Sequence, residues 1–241
     1  MSAEAAAAHD HHHHHAPRQE DYPVDPHYGQ ATGGKLGMWV FLLSDALTFA
    51  GFLLGYAIAR GGTKPWIPEG LPELGINFTA CLTFLLICSS VTMVLAFQAA
   101  TERNKQETLK YLGLTIFGGF LFLCGQYKEY FGFELLGSLV ANFHADWGAW
   151  LAMGLTDEGL FFGTLGGSEY SAYGSTFYMI TAFHGMHVLT GVGYLIVIFI
   201  RTYMGKYDDG NTNHIEICGL FWHFVDLVWI LVFTFVYLIP E

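Results

Sequence analysis

Residues 173–201 read YGSTFYMITAFHGMHVLTGVGYLIVIFIR. Before the closing Arg201, the only ionisable side chains besides tyrosine are two imidazoles, His184 and His187. An α-helix rises about 1.5 Å per residue, so about 20 apolar residues cross the ~30 Å of hydrocarbon in a bilayer. This stretch is longer than that, and its reading as a transmembrane helix decides the fold class. Four more segments match it in length and character: 36–59, 76–100, 111–132 and 215–239. Pro65, Pro68 and Pro72 break the chain between the first two. Glu102, Arg103, Lys105, Glu107 and Lys110 mark the next turn, and a polar run at Tyr207–Asn213 marks the last.

Composition agrees. The chain has 241 residues, 53% of them hydrophobic and 13% charged, where soluble domains carry about 25% charged residues. Mean hydropathy is +0.38. Lys and Arg number 10 against 21 Asp and Glu, a net charge of −11, which argues against a nucleic-acid partner. Cys81, Cys88, Cys124 and Cys218 fall inside apolar segments and read as small buried thiols, not as a disulfide framework.

The expected fold is all-α, a polytopic membrane bundle of five helices. Residues 1–35, with His9 and the run His11–His15, lack the charged-then-apolar order of a signal peptide and read as a disordered His-rich tail. Residues 36–241 form the transmembrane domain. Within it, 133–172 stands apart. Leu135, Leu139, Phe143 and Trp150 share one helical face, and Glu134, Ser138, Asn142 and Asp146 the other. That two-sided pattern suits a helix lying in the membrane interface.

With five spans, the tail and the second and fourth connections share a side. That side holds Arg18, Lys35, Arg103, Lys105, Lys110, Arg201 and Lys206; the opposite side holds Arg60, Lys64 and Lys128. Positive charge favours the inside, so the N-terminus is expected in the cytoplasm and the C-terminus outside.

Ionisable groups inside a bilayer are costly and invite a functional reading. Here they are Asp45, Glu129, His184, His187, His223 and Asp226. Neutral imidazoles beside carboxylates are one way to hold a metal. However, the Glu-x-x-His pattern of a carboxylate-bridged di-metal bundle is missing from the spans. The simpler expectation is that these groups pair across helices or meet lipid head groups, with no metal site.

The residues resemble one family, subunit III of the haem–copper respiratory oxidases. Gly37-Met38-Trp39-Val40-Phe41-Leu42-Leu43-Ser44-Asp45 is similar to its first shared helix, with Asp45 in place of the usual glutamate. Gln126 with Glu129-Tyr130 is similar to its Gln-x-x-Glu-Tyr signature. Tyr173–Phe177, Phe183–Val188 and Gly191 resemble its most recognisable block, with Arg201 closing the helix. Glu216 and Trp222–Trp229 resemble its last helix. The likeness runs from about Lys35 to Ile239. It implies the five-helix bacterial form, in a two-plus-three V whose cleft holds phospholipids, in the inner membrane.

The resemblance also implies a function. The chain would be a non-catalytic subunit of a proton-pumping terminal oxidase that reduces O2 to water, most readily a cytochrome c oxidase. Haem and copper would reside in partner subunits I and II and none in this chain, whose own ligands would be phospholipids. It would stabilise subunit I, hold lipids and support proton uptake through the D pathway. Asp45, Glu129, His184, His187, Arg201, Glu216, His223 and Asp226 are the candidate lipid-binding or intramembrane polar residues. Asp45, desolvated, is expected to be neutralised or paired with a histidine, and Arg201 to meet a lipid phosphate. Asp157, Glu158 and Glu169, in the acidic outer loop, are candidates for docking cytochrome c or a neighbouring respiratory complex by charge. Alternatives are a quinol oxidase subunit III, an accessory protein of a nitric oxide reductase and, more distantly, a haem or metal membrane enzyme built on His184, His187 and His223.

Overall fold

The computed structural model describes residues 32–63, 66, 76–131, 172–207 and 210–239. The His-rich tail, the expected interfacial helix, Asp157, Glu158 and Glu169 lie outside the described residues.

Five long apolar helices make up the described chain: α1 (Gly33–Gly62), α2 (Ile76–Thr101), α3 (Lys105–Phe131), α4 (Ala172–Tyr203) and α5 (Asn213–Val232). A π turn, Phe233–Tyr237, continues α5. Each is long and apolar enough to cross a membrane. The protein is a polytopic membrane helix bundle, as the apolar segments predict.

The helix ends follow from local chemistry. The Thr32 hydroxyl accepts from the Lys35 amide at 3.4 Å, an N-cap for α1. Asn104 Oδ1 accepts from the Glu107 amide at 3.3 Å and caps α3. Between α2 and α3 the chain reverses through a Schellman motif: the Asn104 amide bonds Ala99 O and the Arg103 amide bonds Ala100 O. Its left-handed position is held by Arg103, at φ 59°, where glycine is usual. The end of α4 repeats the motif with Gly205 at φ 77°.

Close packing is built on small residues, as expected where lipid tails give no hydrophobic drive between helices. A Cβ on Gly119 would lie 2.5 Å from the Trp222 ring and 2.8 Å from Val192, and one on Gly191 would lie 2.9 Å from Trp222. The Trp222 indole thus seats between α3 and α4. Its Nε1 donates to Ser89 Oγ at 3.2 Å; one turn pair later Trp229 Nε1 donates to Thr83 Oγ1 at 2.9 Å. Those two hydroxyls in turn donate to the Leu86 and Thr79 carbonyls, so each is used twice without breaking α2.

The pairing of helices corrects the expected two-plus-three V. α1 packs on α4 and α5, whereas α2 packs on α3 and α5; α1 and α2 are not a closely packed pair. Phe49 and Phe52 of α1 pack on Phe183 of α4, and polar ties join α1 to the last span. Lys35 pairs with Glu216 at 2.6 Å, the Thr32 hydroxyl donates to Asn213 Oδ1 at 3.0 Å, and Arg60 donates to the Ile239 carbonyl at 3.2 Å. These contacts pin both ends of α1 to the two ends of the last span. A second correction concerns the thiols. Cys218 is buried, but Cys81 and Cys88 lie on the exposed face of α2.

Candidate functional site

Some of the intramembrane polar groups are paired across helices and others keep a buried polar atom without a partner among the described residues. Asp45 is on the buried stripe of α1 with Leu42, Phe49 and Tyr56, a spacing that points one face at α4 and α5. Its Oδ1 lies 3.2 Å from His187 Nε2 on α4. The other ring nitrogen, Nδ1, is 2.8 Å from the Phe183 carbonyl one turn back. Phe49 and Phe183 stand against the imidazole, with ring centroids 5.4 and 4.7 Å away, and leave the His187 and Asp45 side chains only 14% and 8% exposed.

A backbone carbonyl only accepts, so Nδ1 carries hydrogen. The Nε2 to Oδ1 contact then holds a single proton, on either partner. In both forms the pair is neutral as a unit. A neutral unit is the least costly way to keep a carboxylic acid and an imidazole in hydrocarbon.

His184 is one turn before His187 but is not part of this pair. It is fully buried, stacked on Trp229 at 4.8 Å, with Phe49 and Phe122 edge-on. Neither of its ring nitrogens has a hydrogen-bond partner among the described residues. Glu129 is buried at the far end of α3, with Thr79 Oγ1 at 3.4 Å and Tyr237 as its other polar neighbour. Gln126, three residues earlier, donates to the Thr181 carbonyl at 2.8 Å and ties α3 to α4. Gly185 permits this, because a Cβ there would sit 2.6 Å from the Gln126 amide oxygen.

His223 and Asp226 share a face of α5 but do not bond each other. His223 Nδ1 meets Ser90 Oγ of α2 at 2.6 Å; Asp226 is hydrogen-bonded to the same Ser90, and its Oδ1 is buried without a partner among the described residues. Glu216 is half-exposed in its ion pair with Lys35. Arg201 places its guanidinium 5.6 Å over the Tyr207 ring, and its Nε has no hydrogen-bond partner among the described residues. Burial pushes the Tyr207 phenol up from its ordinary range, with Arg201 only partly opposing it. Beside it a small cavity is lined by Arg103, Lys105, Thr108, Thr202 and Tyr207. Lys35, Arg103, Lys105, Arg201 and Lys206 all belong to this one end of the bundle.

The residues that sequence reasoning missed are the hydroxyls. Ser89, Ser90 and Thr83 supply the partners of Trp222, His223 and Trp229. Their signal was the presence of hydroxyls six and seven residues apart, about two helical turns, in an otherwise apolar span. Among the described residues no three His, Cys, Asp or Glu converge as a metal ligand set.

Comparison with known proteins gives a consistent answer. The family described as cytochrome c oxidase subunit III matches residues 24–140 and 167–240. The chain is similar to the cytochrome c oxidase subunit 3 of Synechocystis sp., 33% identical over 88% of this chain and 78% of that protein. It is similar to that of Alkalihalophilus pseudofirmus, 32% identical over 84% of this chain and 85% of the relative. The Corynebacterium diphtheriae protein of the same name is 30% identical over 85% and 87%. With the match spanning the five membrane helices and the polar pairs that join them, the chain belongs to the cytochrome c oxidase subunit III family.

Proposed function

We propose that the chain is the non-catalytic third subunit of a proton-pumping cytochrome c oxidase. Its role is to brace the haem- and copper-bearing subunits I and II, hold phospholipids against them and keep proton uptake fast. The observation that carries this reading is how the intramembrane groups are used. Asp45 and His187 neutralise each other, Gln126 is spent on a backbone carbonyl, and the two buried indoles are spent on hydroxyls. Polar chemistry in this bundle holds helices together. Phospholipid head groups would be met at the basic end, where the part-exposed Arg201 side chain sits over Tyr207 with Lys35, Arg103, Lys105 and Lys206 at the same end. That end would face the cytoplasm, which places the N-terminus inside and the C-terminus outside.

The test is purification through this chain in mild detergent from its own membrane, followed by mass spectrometry and a reduced-minus-oxidised spectrum. The expected result is co-purification of subunits I and II, with haem in the complex and none in this chain once it is separated. A lone chain with its own stoichiometric haem or metal would overturn the reading.

A further inference from the structure

Ser90 lies halfway along α2, and His223 and Asp226 lie near the middle of the span formed by α5 and its π turn. Ser90 and His223, both part-buried, form a polar patch at the seam between these helices, with Asp226 buried beside them. His223 is half-buried; its Nδ1 is taken by Ser90, and no described residue bonds its Nε2. Asp226, one turn on, is buried with Oδ1 unpartnered among the described residues. The patch is framed by exposed apolar side chains, Val91 on α2 and Leu227 and Ile230 on α5.

Depth decides what can cover such a patch. Mid-span, the nearest water and phosphate are about 15 Å away, half the hydrocarbon thickness. Acyl chains offer no hydrogen bond, and a polar group facing them is costly. A lipid therefore leaves the second His223 nitrogen unpaired, whereas a protein helix at the same depth need not. We infer that the α2–α5 seam docks a membrane-spanning helix of a partner subunit, which presents a hydrogen-bonding side chain to His223. This inference rests on the chain being a subunit of an oxidase complex. The apolar frame supplies packing contact, and the histidine supplies register along the membrane normal.

The test places a photoreactive benzoyl-phenylalanine at Leu227, beside the patch, or at Leu189, equally exposed on α4. The chain is expressed in its own membrane, irradiated, and purified through a tag on this chain, with haem read spectroscopically. The expected result is an adduct from position 227 to a membrane segment of a haem-bearing subunit, at least tenfold above position 189. His223→Leu is expected to lower retention of that subunit through a detergent wash about three- to tenfold, the scale of one interhelical hydrogen bond in a membrane. His223→Gln, which keeps a polar group, retains it. If haem co-purifies but position 227 gives adducts only to lipid or to a second copy, or no more than position 189, the docking face is wrong and the subunit reading stands. If an intact chain brings down no oxidase subunit, the subunit reading fails and the docking face with it.

Discussion

Asp45 and His187 reduce to a question about one proton. The Phe183 carbonyl fixes hydrogen on Nδ1, so the bond between Nε2 and Oδ1 holds a single proton whichever atom carries it. A carboxamide at position 45 supplies the same bond, with its NH2 donating to the imidazole lone pair. Asp45→Asn is therefore expected to keep thermal stability close to the parent in the purified complex. His187→Leu strands a buried carboxyl among Phe49 and its neighbours and is expected to cost on the order of 1–3 kcal/mol. Asp45→Leu combined with His187→Leu is expected to recover most of that loss, because neither polar group is then left unpaired. Unfolding in detergent, followed by release of this chain, measures all three. If Asp45→Asn is as damaging as His187→Leu, the charge of the carboxylate matters in itself and the neutral-pair account is wrong.

At the scale of the helix, glycines separate contact faces from lipid faces. Gly119 faces Trp222 so closely that a Cβ has no room, whereas Gly193, on the same helix as Gly191, has nothing within 4 Å. Gly119→Ala is expected to destabilise by about 1–3 kcal/mol, the usual cost of forcing atoms into a packed interior. Gly193→Ala is expected to be neutral or to stabilise by up to about 1 kcal/mol through helix propensity. Unfolding temperatures of the two variants, measured side by side, check the contrast; equal effects would show that Trp222 does not sit between α3 and α4. The same pair explains what was legible in the sequence. Span lengths follow from apolar runs and flanking charge, and the helices extend the expected segments by only a few residues at most ends. Which helix touches which does not follow, because in a membrane both the core and the lipid-facing surface are apolar and periodicity loses its contrast. Phe84, Val91 and Val94 face outward on α2 and look no different in sequence from the buried Leu86 and Met93. The candidate polar residues were legible by type, yet their partners were not. Asp45 finds His187 across two helices and His223 finds a serine, pairings that only the three-dimensional arrangement supplies.

The molecule as a whole is tied unevenly. α1 buries only Leu42, Asp45, Phe49 and Tyr56, while α5 buries eleven residues and touches all four other helices. With so small a buried stripe, the polar ties of α1 weigh more than those of the other helices, and the strongest of them by charge is Lys35 to Glu216, with side chains 20% and 33% exposed. Such a pair is open to screening: the Debye length falls from about 14 Å near 0.05 M salt to about 4 Å near 0.5 M. Local opening follows the least protected element, so α1 amides are expected to exchange hydrogen faster than those of α5 in the detergent-solubilised chain. Raising salt over that range is expected to speed α1 exchange by about two- to fivefold, the effect of losing up to about 1 kcal/mol from a half-exposed pair. α5 exchange is expected to stay constant. Lys35→Met should start from the faster rate and lose the salt response, because the charge that salt screens is gone while the apolar stem still covers the same surface. A salt response that survives in Lys35→Met would assign the end of α1 to another charge, and equal exchange in α1 and α5 would show that the α4 contact through Asp45 and His187 holds this helix unaided.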